Sequence, residues 1–171
     1  MKLTLQIEDC LKKSDTIMRA TRINDKDISC VKAIIRCKHV KDGLPVFFYE
    51  NGRNKTVRVC LYFFFGIPSL APFDEYELSK MFNGGIDCFK TIISSEMSKT
   101  RIEMRYDFPS SSKRQDVERS VLQVIERIPP SVDRFLSIYD DYISAINKKY
   151  KQMSDLNIVM LSQYRKGYPI Y

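Results

Sequence analysis

The chain has 171 residues, of which 44% are apolar and 29% charged, a mixture that suits one globular domain and excludes wholesale disorder, collagen-like repeats and low-complexity tails. Lysine and arginine outnumber the acidic residues 28 to 21, a net charge of +7, which permits attraction to nucleic acid or an anionic membrane without requiring either. The excess is local, since residues 29–73 hold seven basic side chains against two acidic ones.

Leu3, Ile7, Cys10, Leu11 and Ile17 or Met18 recur at three- and four-residue steps, so the opening segment reads as an amphipathic helix that ends before Asn24-Asp25. Leu3, Leu5 and Ile7 also alternate with Thr4 and Gln6; a short first strand is the alternative, and the helix is preferred. From Ser29 to Val40 the side chains alternate, with Val31, Ala33, Ile35 and Cys37 on one face and Lys32, Arg36 and Lys38 on the other, interrupted by Ile34. This predicts a half-buried strand. A turn at Asp42-Gly43 leads into a second strand over Leu44–Glu50, and Asn51-Gly52 supplies the residues that a tight hairpin turn needs. The third strand runs from Lys55 to Phe65, with Val57, Val59, Leu61, Phe63 and Phe65 on its apolar face. Its other face changes from Thr56 and Arg58 to Cys60, Tyr62 and Phe64, becoming greasy toward the strand end.

Pro68 and Pro72 end that strand. Asp74 and Glu77 then resemble a capping pair for a short helix, which Gly84-Gly85 closes. Cys88–Met97 and Thr100–Phe108 read as another hairpin. In its second strand Ile102, Met104, Tyr106 and Phe108 face the core, while Arg101, Glu103, Arg105 and Asp107 form an ion-pair surface toward water. Val117, Val121, Val124, Ile125 and Ile128 make one helical stripe that should cover a face of the sheet. Pro129-Pro130 is expected to interrupt the helix. Beyond it Leu136, Tyr139, Ile143, Ile146 and Tyr150 form a seam for a neighbouring helix, either within the domain or in a homodimer. Residues 1–153 are therefore taken as one α+β domain, an antiparallel sheet of about five strands in the order α-β-β-β-α-β-β-α-α covered by helices. Residues 154–171 are taken as a C-terminal tail or short extra element.

Five cysteines, an odd number with no C-x-x-C pair, sit mostly in apolar stretches and suit a reducing compartment. The single histidine, His39, has only Cys37 near it, so no metal site is expected. The amino terminus carries Glu8 and Asp9 where a secretion signal needs apolar residues. The longest uncharged run, Val59 to Phe73, contains Gly66, Pro68 and Pro72 and is too short to span a bilayer. A cytoplasmic protein without membrane insertion follows. No nucleophile elbow, phosphate loop, dinucleotide fingerprint or zinc-protease helix is present. Neither a catalytic residue, a cofactor nor a small-molecule substrate is assigned, and the chain reads as no enzyme.

Glu77-Leu-Ser-Lys-Met-Phe-Asn83, the strand Lys99-Thr-Arg-Ile-Glu-Met-Arg-Tyr-Asp-Phe-Pro109 and the Val117–Ile128 helix, with the element order, resemble the type III secretion chaperone-like fold, particularly its YbjN-type domains. That resemblance covers roughly Leu3 to Ile146 and implies a non-enzymatic, often self-associating protein that holds a client segment against sheet and helix surfaces. Secretion chaperones are typically acidic, whereas this chain is basic. From the residues themselves, the expected function is a protein-binding module whose aromatic sheet end, Phe47, Tyr49, Arg58, Tyr62 and Phe64, receives a partner polypeptide or a second copy. The competing possibility is that the rings lie under a later helix as ordinary core. The alternative function is nucleic-acid binding by Lys32, Arg36, Lys38, Arg53 and Arg58, with neighbouring rings stacking on bases.

Overall fold

The computed structural model describes residues 2–26, 28–66, 75–83, 89–96 and 99–156, with side chains described for 2–26, 28–62, 76–83, 89–93 and 101–149. In chain order the elements are α1 (Leu3–Lys12), β1 (Ile17–Asn24), β2 (Ser29–Cys37), β3 (Val40–Asn51), β4 (Thr56–Gly66), α2 (Glu75–Asn83), β5 (Lys90–Glu96), β6 (Lys99–Pro109) and α3 (Arg114–Leu156). The class is α+β, and the strands form one antiparallel sheet in the order β1-β2-β3-β4-β6-β5.

The expected count of about five strands becomes six because the opening helix stops at Lys12 and a strand follows it. The backbone turns at residues 13–16, where the amides of Lys13, Ser14 and Ile17 bond to the carbonyls of Cys10, Leu11 and Ser14. β1 is an edge strand on which Ala20 is the one buried residue, so it lacks the apolar alternation that would have marked it. Glu8 of α1 ties the two elements together by accepting from Lys12 at 2.7 Å and from the Arg22 guanidinium of β1. Lys12 and then Arg22 hold the Glu8 carboxyl below the usual range, against the opposing effect of burial.

Two turns also differ from expectation. The β2–β3 hairpin reverses at Lys38-His39, and β3 begins at Val40, so Asp42-Gly43 lies inside the strand. There the pairing shifts: Ile35 faces Leu44, but Cys37 faces Val40. Gly43 serves this bulge with φ +81°, and a Cβ on it would lie 2.5 Å from Ile34 Cγ2 and 2.9 Å from both the Ile35 carbonyl oxygen and Met18 Sδ. The β3–β4 connection is a four-residue loop, with Asn51 opposite Thr56. Its positive φ, 48°, falls on Lys55 and not on the Asn51-Gly52 pair.

The expected break at Pro129-Pro130 does not occur, because α3 is one helix of 43 residues with both prolines inside it. Each proline removes an amide donor and opposes the helix by about 3 kcal/mol. Ile125, Ile128, Val132 and Phe135 are all buried on either side. Burying such side chains is worth about 1.5–3 kcal/mol each, enough to hold the helix on the sheet through the interruption. The element order is therefore α-β-β-β-β-α-β-β-α.

The core lies between one face of the sheet and a helical layer. Val31, Ala33, Ile35, Val46, Phe48, Val57, Val59, Leu61, Ile102, Met104 and Phe108 meet Ile7 and Leu11 of α1 and Val117, Val121, Val124 and Ile128 of α3. Alternation sends every second residue here, which explains why the strand faces could be read from the sequence. Tyr106, expected in this core, is partly buried and packs its ring 5.7 Å from that of Phe89.

Candidate binding face

Alternation also fixes what the opposite face carries. Register brings Ile23, Cys30, Tyr49, Arg58 and Asp107 into one row across the strands. The next row holds Thr21, Lys32, Phe47, Cys60, Arg105 and Lys90. The third has Arg19, Ile34 and Pro45 on one side and Tyr62, Glu103 and Ile92 on the other. Among the described residues, the helices that pack on the sheet contribute to the core on the other face. Apolar side chains consequently remain open here: Ile92 is 45% and Ile23 37% exposed. Phe47, Tyr49 and Tyr62 are partly exposed, so described helices do not convert them into closed core.

Three rings form the centre. Phe47 and Tyr49 stack with centroids 5.9 Å apart and planes 13° apart, while Tyr62 meets Phe47 edge-on at 5.8 Å and 70°. Cations lie against two of them. Lys32 Nζ sits 5.8 Å from the Phe47 centroid, and the Arg101 guanidinium carbon 5.1 Å from that of Tyr62. Cys60, opposite Phe47, and Cys30, opposite Tyr49, are each only 2% exposed in the floor. Burial pushes the Cys60 thiol up to about 11 and raises the Tyr49 and Tyr62 hydroxyls. These groups stay neutral near pH 7, so the centre is apolar with hydroxyl edges.

Toward β6 the arginines have carboxylate partners. Arg58 donates through Nε and Nη2 to the two Asp107 carboxylate oxygens, both at 2.9 Å. Those bonds raise the Arg58 guanidinium and hold Asp107 below the ordinary carboxylate range. Glu103, expected in water, is instead buried at 7% exposure, accepting from Arg105 and lying 3.8 Å from Arg101. Its two arginine neighbours on the same strand pair with it, which simple alternation does not reveal. The ion-pair surface thus combines one cross-strand pair with a buried glutamate between two arginines of its own strand.

The expected aromatic site is brought together in Phe47, Tyr49, Arg58 and Tyr62; the Phe64 side chain lies outside the described residues. The expected phosphate-binding set is dispersed. Lys32 and Arg58 share the open face, but the Arg58 fork is filled by Asp107. Arg36 donates to the Asp15 carbonyl, Lys38 pairs with Asp133 of α3 at 3.1 Å, and Arg53 lies in the β3–β4 turn. His39 also contacts Asp133, at 2.6 Å, fastening that hairpin to the helical layer. The seam residues Tyr139 and Ile143 are buried in the core, with Leu136 and Ile146 packed against it, and Tyr142 donates to Glu77 of α2 at 3.1 Å. The seam is therefore used inside the chain; the Tyr150 side chain lies outside the described residues.

Arg19, Thr21, Ile23, Ile34, Pro45, Ile92 and Arg101 join the face without having been singled out for it. The three- and four-residue spacing places the first three in the opening helix, and Ile34 interrupts its strand's alternation, although an apolar residue on the polar face is itself the signal.

No protein-family model matches the chain, and no characterised protein matches it. Among the described residues no cluster of metal-ligating side chains occurs, and no helix is long and apolar enough to cross a membrane.

Proposed function

We propose that the protein is a non-enzymatic, chaperone-like binding module that holds a segment of partner polypeptide on the open face of its sheet. The observation that carries this reading is the contacting cluster Phe47–Tyr49–Tyr62, partly exposed on a face that no described helix covers. Rings of this kind offer large contact area at little cost in side-chain entropy, and the surrounding Ile23, Ile34, Pro45 and Ile92 extend the apolar floor. The type III secretion chaperone-like resemblance points the same way, because its members use sheet and helix surfaces for extended clients. The dispersal of the basic set, and the filling of Arg58 and Arg105 by carboxylates, favours a polypeptide over a phosphate backbone.

The test is selection from a random library of peptides about twelve residues long, followed by affinity measurement on the wild type, Phe47→Ala and Tyr62→Ala. Enriched peptides should lose about tenfold or more in affinity on either variant, the range expected when a central aromatic contact is truncated. No enrichment, or equal binding by both variants, refutes the reading.

A further inference from the structure

Resting on that reading, we infer that the β1–β2 end of the open face is a carboxylate-binding subsite, and that the bound polypeptide is an acidic one. Arg19, Thr21, Ile23, Lys32 and Ile34 line a shallow groove of about 260 Å³. Register explains the grouping: Thr21 lies directly opposite Lys32, and Arg19 opposite Ile34. Arg19 and Lys32 are thus diagonal neighbours on adjacent strands, rooted about 7–8 Å apart, so their long side chains can converge on one carboxylate. Thr21, across from Lys32 and two positions along β1 from Arg19, adds a hydroxyl that can donate, and Ile23 and Ile34 add apolar surface.

The distribution of charge selects the occupant. Arg58, Arg101 and Arg105 each have an acidic partner in Asp107 or Glu103. Arg19 and Lys32 have no carboxylate within ion-pair distance among the described residues. The groove therefore presents two positive charges without a carboxylate partner among the described residues, beside three arginines that share the Asp107 and Glu103 carboxylates. Lys32 also lies over Phe47, so the subsite continues directly into the aromatic centre. A segment that places Asp or Glu between Arg19 and Lys32 can lay its next apolar side chain on Phe47. Two unmatched cations suit an isolated carboxylate better than a nucleic-acid strand, which needs a continuing track of cations for successive phosphates.

Titrations with defined probes test this: a selected peptide bearing Glu or Asp, its analogue with Gln or Asn at those positions, and an oligouridylate of similar length. Each is measured against the wild type, the double variant Arg19→Gln/Lys32→Gln, and Phe47→Ala. Both substituted cations stand on the outer face, and melting curves of the double variant verify that it folds. The acidic peptide should bind about five- to tenfold more tightly than its amide analogue, with the advantage lost in the double variant and reduced by salt. Equal affinity for the two peptides, or an unchanged advantage in the double variant, overturns the subsite. If Phe47→Ala still abolishes binding in that case, the open face stands as a binding surface and only the acidic specificity falls. Tighter binding of the oligouridylate, lost in the double variant, also overturns the proposal in favour of phosphate recognition.

Discussion

Replacing Gly43 by alanine should destabilise the protein by about 2–5 kcal/mol. Its φ of +81° imposes a left-handed backbone that costs an L-residue about 1–2 kcal/mol. The new methyl would lie 2.5 Å from Ile34 Cγ2 and 2.9 Å from Met18 Sδ, both of which belong to side chains that can move. The third contact, 2.9 Å from the Ile35 carbonyl oxygen, is with backbone in a paired strand. Relieving it requires displacement of β2 or β3, and overpacking of this kind adds about 1–3 kcal/mol. Urea unfolding with a slope of about 2 kcal/mol per molar should show a midpoint lowered by about 1–2.5 M. Gly52→Ala is the internal control, because a Cβ there meets nothing within 4 Å and should shift stability by no more than about 0.5 kcal/mol. Equal stability of the two variants would refute the bulge geometry and the registry of the open face that depends on it.

Asn83 provides a second test, since its side-chain amide donates to the Thr91 carbonyl at 3.1 Å and accepts from the Thr91 amide at 2.8 Å. It occupies backbone groups of edge strand β5, so Asn83→Ala should cost about 1–3 kcal/mol in denaturation and increase self-association in light scattering. Ile143→Asp should lower the stability of the protein by at least about 3 kcal/mol, because Ile143 is 7% exposed in the core; an unaltered melting curve would contradict its packing. Asp107, held low first by its hydrogen bonds to Arg58, contributes stability that is present above the ordinary carboxyl pKa and lost as pH falls through the depressed native value. The pair is substantially exposed, so Asp107→Asn should remove at most about 1 kcal/mol of acid-dependent stability, read from denaturation midpoints across that window. Cys60, buried and raised to about 11, should react with iodoacetamide far more slowly than Cys37, which is partly exposed, when labelling at neutral pH is followed by peptide mass mapping.

Much of the sheet was legible because β2, β4 and β6 send alternate residues to the core, and period-two patterning translates directly into faces. Val31, Ala33 and Ile35, then Val57, Val59 and Leu61, then Ile102, Met104 and Phe108 all lie where alternation put them. β1 was hidden because an edge strand with one buried residue imposes almost no pattern. The long helix was misread at Pro129-Pro130 because local backbone preference opposed it, while burial of Ile125, Ile128, Val132 and Phe135 against other elements decided the outcome. At the candidate site, Phe47, Tyr49, Arg58 and Tyr62 were identifiable from one strand pair. The neutralisation of Arg58 by Asp107, 49 positions away, and the grouping of Arg19 with Lys32 follow from strand order, which a single sequence leaves open.

Hydroxyl-radical footprinting of the free protein, repeated with a saturating library-selected peptide, tests the central claim most directly. Phe47, Tyr49 and Tyr62 should be modified in the free protein and protected in the complex, while Phe48 and Phe135, both fully buried, remain unmodified throughout. Protection of the three open-face rings in the free protein to the level of Phe48 and Phe135 would contradict the account.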